Sequence, residues 1–171
     1  MRRSIFVICF IVTSILITGC NTSSNSDAIE DITISEKISN YLLDKGYNIV
    51  LEEGKTEEYV LEKELLLPEA IGPYAKIWMI QEIEPSDYFN KTIEEYKFIV
   101  KNHPLDHDEY IKNETTSVTV MVCEGKIIGG YSLHVSDDIL LGGFYSLEGK
   151  TLEEITGMNY TEWSDRWWSK L

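Results

Sequence analysis

The chain has 171 residues, with 29 Asp and Glu against 15 Lys and Arg, and a formal net charge of −14. That length suits one domain with appendages, and 43% apolar residues with four Trp, ten Tyr and five Phe exclude a wholly disordered chain. The acidic balance argues against a phosphate-backbone binder, which needs a basic footprint, and one short apolar run is too little for a bundle of membrane spans.

The N-terminus reads Met1-Arg2-Arg3-Ser4, followed by an apolar run from Ile5 to Ile17 broken by Thr13 and Ser14. A bilayer span needs roughly 18 or more apolar residues, so a run this short after two Arg fits a signal-peptide core. It ends in Leu16-Ile17-Thr18-Gly19-Cys20 and gives way to the polar stretch Asn21 to Asp27. That junction resembles the bacterial lipobox, in which an aliphatic residue, a small residue and Gly precede Cys. The resemblance implies lipidation of Cys20, which becomes the first residue of the mature protein, at the outer face of the cell membrane. Two acyl chains on one residue anchor stably where one holds only marginally. The expected organisation is a signal peptide over 1–19, a lipidated Cys and polar tether over 20–34, and one domain over 35–171. Loss of Arg2 and Arg3 takes the charge to 13 − 29 = −16, which an anionic lipid surface repels. Only Cys123 is then left as a thiol, so an intramolecular disulfide is excluded and stability must come from a core.

In chain order, Ser35 reads as an N-cap for a helix over 36–45, with Ile38, Tyr41 and Leu42 on one face and Gly46 as its C′ residue. Residues 47–51 read as a strand, 52–57 as a polar turn around Gly54, and Tyr59 as the start of a second extended stretch towards Leu67. Pro68 and Pro73 bracket a loop. Tyr74, Ile77, Trp78 and Gln81 have the spacing of a short amphipathic helix. Residues 96–101 alternate as a strand closed by His103-Pro104. Val118, Val120 and Val122 alternate with Thr119, Met121 and Cys123, and Glu124-Gly125 turns the chain into a partner strand over 127–135. Within it, Gly129-Gly130 marks a bulge or a close backbone approach. A short strand over 144–146 and helical pieces over 151–155 and 160–169 close the chain, the last with Asn159 and Glu162 spaced as a capping box. The fold class is α+β: an antiparallel sheet with an N-terminal helix and C-terminal helices packed on one face.

Several side-chain groups carry chemistry in principle. His103-Pro104-Leu105-Asp106-His107-Asp108-Glu109 concentrates imidazoles and carboxylates, the donors a transition metal takes. Pro104, however, prevents a regular helix from bringing His103 and His107 together, and a solvated connector is the simpler reading. His103, His107 and Asp106 are therefore only weak metal candidates, and no cofactor is expected. The segment Gly143 to Thr151 imitates a P-loop but has five residues between its glycines where four are needed, so Thr151 reads as an N-cap. The pairs Glu94-Glu95, Asp137-Asp138 and Glu153-Glu154 read as solvated surface. Cys123, with His134 across the hairpin, reads as a buried core thiol rather than a nucleophile. Tyr160, Trp163 and Trp167, at i, i+3 and i+7 with Trp168 beside them, fit a plug fastening the last helix to the sheet better than a sugar-stacking surface.

The strings Lys101-Asn102-His103-Pro104-Leu105, Gly125-Lys126-Ile127-Ile128-Gly129-Gly130-Tyr131-Ser132 and Tyr145-Ser146-Leu147-Glu148-Gly149-Lys150-Thr151-Leu152-Glu153-Glu154 resemble a group of uncharacterised Gram-positive secreted proteins and lipoproteins, a domain of unknown function. The resemblance covers about 37–168. It implies a membrane-attached extracytoplasmic domain and supplies no catalytic residues. The expected function is a non-enzymatic, lipid-anchored binding or interaction domain that meets a protein or envelope ligand and no nucleic acid. Its expected contact surface is the strand from Gly129-Gly130 to Ser132, the Gly142-Gly143 segment and neighbouring aromatics, with Tyr131, Ser132, Tyr145 and Trp78 as ligand-binding candidates. The alternative is a cell-envelope hydrolase or metal-handling protein built on the His103/His107 acidic segment.

Overall fold

Thr33 begins the first helix. In the computed structural model, which describes residues 32–107, 114–135 and 143–171, helix α1 spans Ile34–Asp44. The Thr33 hydroxyl accepts from the Glu36 N–H while the Glu36 carboxylate accepts from the Thr33 N–H at 2.8 Å, a complete capping box. The cap therefore lies two residues before Ser35, which instead bonds Glu52. At the other end Lys45 is the C-cap and Gly46 follows in the left-handed region, its N–H on the Leu43 carbonyl.

The sheet is an antiparallel meander in the order β1-β2-β3-β4-β5. Its strands are β1 Asn48–Val60, β2 Thr92–Lys101, β3 Thr116–Cys123, β4 Lys126–His134 and β5 Tyr145–Ser146. The expected break at Gly54 does not occur. One 13-residue strand runs through it, with Gly54 facing Lys97, and the ladder absorbs the irregular residues as three register shifts. The β3–β4 hairpin turns at Glu124 and Gly125, both at positive φ, the two-residue geometry whose twist matches the flanking strands.

Alternation along the strands divides the core in two. Tyr96, Phe98 and Val100 with Val118, Val120 and Val122 form one face, covered by Ile38 and Leu42 of α1. Ile93, Met121 and Cys123 lie on the other face with Leu61, Leu66, helix α2 (Tyr74–Met79) and Trp167 of helix α4 (Tyr160–Trp168). The α+β class and antiparallel sheet agree with the sequence. The terminal helices, however, divide between the two faces rather than sharing one. β3 is consequently buried at all eight positions, and each fully buried Val contributes about 1.5–3 kcal/mol of transfer free energy.

α4 is fastened as the aromatic period implies. Trp163 donates its indole N–H to the Met79 carbonyl at 3.2 Å, and Trp168 donates to the Leu66 carbonyl at 2.9 Å. Trp167 is buried between them, whereas Tyr160 stays exposed. Asn159 caps this helix by accepting from the Glu162 N–H at 3.0 Å. Helix α3, Leu152–Thr156, has Thr151 as N-cap in a full capping box with Glu154. Among the described residues no helix is long and apolar enough to cross a membrane.

Candidate functional site

A cleft of about 630 Å³ opens beside β4, between the end of α2 and the segment leading from β5 into α3. Isoleucines form much of its wall, including Ile80, Ile83, Ile127, Ile128 and Ile155. Its floor is the outer edge of β4, since β5 pairs only with Tyr131 and Ser132. Past Ser146 the chain turns away, with the Gly149 N–H on the Ser146 carbonyl.

Gln81 takes the place the third residue of β5 would fill. Its Oε1 accepts from the Gly130 N–H at 3.0 Å and its Nε2 donates to the Gly130 carbonyl at 3.1 Å. That two-bond exchange with one residue is the pattern of a hydrogen-bonded pair in an antiparallel ladder. A further bond from Nε2 to the Ile77 carbonyl, 2.7 Å, ties the side chain to α2. Gly129 and Gly130 act here as the sequence indicates. Ile128 is the extra residue of a register shift opposite Met121 and Val122. A Cβ on Gly130 would run into the Thr119 carbonyl oxygen and would lie 2.8 Å from Leu147 Cδ2. A Cβ on Gly129 would meet only the end of the Gln81 side chain.

Behind the cleft, on the α2 side of the sheet, lies a buried carboxyl. Glu95 is 1% exposed and accepts from the Tyr131 hydroxyl at 3.0 Å through Oε2, while Oε1 has no hydrogen-bond partner. Burial pushes its pKa up to about 7, against the hydrogen bond from Tyr131, and the Glu57 carboxylate adds to the rise. Tyr59 accepts from the Trp78 indole at 3.1 Å, and burial raises its phenol well above the ordinary range. The Glu94-Glu95 pair is thus split by strand alternation. Glu94 bonds Lys55 at 3.1 Å at the surface, and Glu95 points inward.

On the opposite face His103 is fully buried. Its Nδ1 accepts from the Leu105 N–H at 3.1 Å, which puts the ring proton on Nε2. Nε2 therefore donates towards the Leu147 carbonyl at 3.1 Å, with the Ser132 hydroxyl also at 3.1 Å. Burial lowers the pKa of this imidazole, opposed by the Leu147 carbonyl and the Asp106 carboxylate. Tyr47 packs on the ring at 4.7 Å and bonds the same Leu147 carbonyl at 2.7 Å.

Only part of the expected contact surface is assembled. Gly129 and Gly130 line the cleft, but Trp78 and Ser132 are buried, and Tyr131 turns into the Glu95 cluster beside Phe144. Tyr145 lies apart, edge-on to His134 at 5.4 Å. His103 and His107 are not brought together: the first is buried with both nitrogens engaged, the second is exposed. Asp106 bonds the His103 N–H and the Thr116 hydroxyl, 2.7 Å. Among the described residues no three His, Cys, Asp or Glu converge as a metal site. Cys123 is buried and its thiol pKa is raised by burial. It faces Lys126, whereas His134 faces Thr116 at the far end of the hairpin. Cys20, Asp108, Glu109, Asp137, Asp138 and Gly142 lie outside the described residues.

Gln81, expected only as part of a helix, stands at the cleft, and Glu95, expected as solvated surface, is buried because strand alternation turns it inward. Gln81 carries a signal in hindsight, being a polar residue on the stripe of Tyr74, Ile77 and Trp78. Glu95 carries one only once β2 is known to start at Thr92.

The fold and cleft thus define an α+β domain built on a five-stranded meander. Compared with family models, curated proteins and solved structures, the chain finds no match.

Proposed function

We propose that this chain is a non-enzymatic binding domain, anchored through lipid on Cys20 at the outer face of the cell membrane, that takes its ligand in the cleft beside β4. The observation that carries the binding reading is the β4 edge inside an isoleucine-walled cleft, closed at Gly130 by the Gln81 side chain. Concave clefts of this size are the usual form of a ligand site, and this one sets isoleucines beside Gln81, Glu82, Glu148, Lys150 and Glu154. The cleft itself is lined by the carboxylates of Glu82, Glu148 and Glu154 and by Lys150, while the two most deeply buried titratable groups stand away from it. Glu95 is buried behind the sheet, and the His103 nitrogens are both held by the protein. A general base must reach the proton it removes, and neither group lines the cleft. The same engagement of His103 gives the hydrolase or metal-handling alternative no support.

The anchoring half rests on the string Leu16 to Cys20 after its short apolar run. In a Gram-positive host the intact chain should fractionate with membranes, and Cys20→Ala should shift it to the soluble or secreted fraction. Cys20→Ala remaining on the membrane would overturn the anchor.

A further inference from the structure

The two sheet edges are treated differently by this sequence. The β1 edge spans 13 residues and carries three register shifts with Glu52, Glu53, Lys55, Glu57 and Glu58, features that discourage another strand from adding there. The β4 edge carries none of these charges between Ile127 and Gly130. It offers isoleucines, two glycines, and a backbone already satisfied at Gly130 by a side-chain amide acting as one residue of a strand.

We propose that the β4 edge receives an extended, basic peptide segment as an added strand, displacing the Gln81 carboxamide from Gly130. This rests on the binding-domain reading above and names its ligand class. Strand addition supplies main-chain hydrogen bonds for affinity and alternate side chains for specificity. Apolar side chains of such a segment meet the isoleucine walls. Its cations meet Glu82, Glu148 and Glu154, which face a single Lys150 around the cleft on a chain of net charge −14. Lys45 offsets part of this by bonding Glu148 at 2.6 Å, and Glu82 carries no such partner among the described ion pairs. Gln81 suits a displaceable plug because its bonds keep the edge satisfied until a peptide arrives. It is held by a flexible side chain rather than by backbone.

The test uses the full chain in zwitterionic detergent micelles, with fluorescence anisotropy of labelled acetyl-(Lys-Val)4-amide. Saturable binding is expected. A twin of equal charge with N-methyl groups on alternate backbone amides, and a (Glu-Val)4 peptide, should each bind at least about tenfold more weakly. Gln81→Ala, which removes the competing amide, should bind the Lys-Val peptide about tenfold more tightly. Gly129→Ala pushes Gln81 aside by another route and should move affinity in the same direction. Hydrogen exchange should slow at residues 126–130 on binding. Equal binding of the N-methylated twin, protection along Asn48–Val60 instead, or no saturable binding by wild type and Gln81→Ala would each overturn the proposal. Failure here with Cys20-dependent anchoring intact leaves the anchored domain standing. Cys20→Ala staying on membranes overturns the anchor whatever the peptide does.

Discussion

The Tyr131 hydroxyl donates to Glu95 Oε2 at 3.0 Å across the β2–β4 side of the sheet, and this bond joins the strand that floors the cleft to a buried acid. Tyr131 immediately follows Gly130, so β4 holds the Gln81 amide on its edge and the Glu95 carboxyl beneath its face within two residues. Tyr59, Tyr131, Glu57 and Tyr74 are the titratable groups around that carboxyl. None carries a positive charge.

Glu95 makes stability pH-dependent in a direction opposite to most carboxylates. Its folded pKa of about 7 lies above the unfolded value of 4.5, so the folded state binds more protons between those limits. Its contribution to stability is therefore full below about pH 4.5, falls as pH rises, and reaches its minimum above about 7. The total change is on the order of 3 kcal/mol. Glu95→Gln keeps an acceptor for Tyr131 and removes the ionisation. His103, whose folded pKa is depressed, acts oppositely, losing stability as pH falls through its unfolded 6.5, but it is common to both proteins. The difference between Glu95→Gln and wild type, from urea midpoints at pH 4.5 to 8, should thus grow with pH in favour of the variant. A flat difference would show that Glu95 is not held protonated.

His103 works as a structural pin. His103→Ala removes a fully buried ring and leaves the Leu105 N–H unpartnered, a loss of about 3 kcal/mol. Ser132→Ala removes one shared hydroxyl contact at 3.1 Å and should cost about 1 kcal/mol. Urea denaturation with and without added Zn²⁺ checks both, and no dependence on the metal is expected in wild type.

The two adjacent glycines should respond unequally. Gly130→Ala drives a methyl group into the Thr119 carbonyl, a backbone atom that moves only with the sheet, and should destabilise by about 3 kcal/mol or more. Gly129→Ala meets only the flexible end of Gln81 and should cost about 1 kcal/mol, the net value of the displaced amide bonds. Thermal melts of the pair distinguish close backbone approach from simple edge geometry. Equal losses would count against the plug.

How much of this was legible in the sequence differs by element. The β3–β4 hairpin was readable to within about two residues, because Val alternation and Glu124-Gly125 are local signals that tertiary packing reinforces. The 48–60 strand was not, since polar residues around Gly54 have the composition of a turn, and only pairing to Lys97 and Tyr96 holds them extended. The Gly129-Gly130 reading survived because close approach is a property of the residues themselves. Glu95 and Gln81 were opaque for a shared reason. Each is polar, and its placement depends on a partner 36 or 49 residues away, Tyr131 or Gly130. Trp78 and Ser132 are buried, Trp78 within the α2-side core and Ser132 against His103, because a sequence does not say which distant side chains will cover a given residue.

The last helix is held by indoles whose rings and N–H groups act separately. Trp167→Ala should cost about 3–5 kcal/mol, as the ring is buried against Leu66, Ile77 and their neighbours. Trp168→Phe keeps most of the packing but strands the Leu66 carbonyl, and should cost about 1 kcal/mol. Trp163→Phe does the same at Met79, directly before the Ile80–Gln81 wall of the cleft. Chemical denaturation followed by far-UV circular dichroism measures all three without relying on the altered fluorophores. Hydrogen exchange at Ile80 to Ile83 adds a local readout, and Trp163→Phe should speed it more than Trp168→Phe does. Equal exchange in the two variants would separate the terminal plug from the cleft.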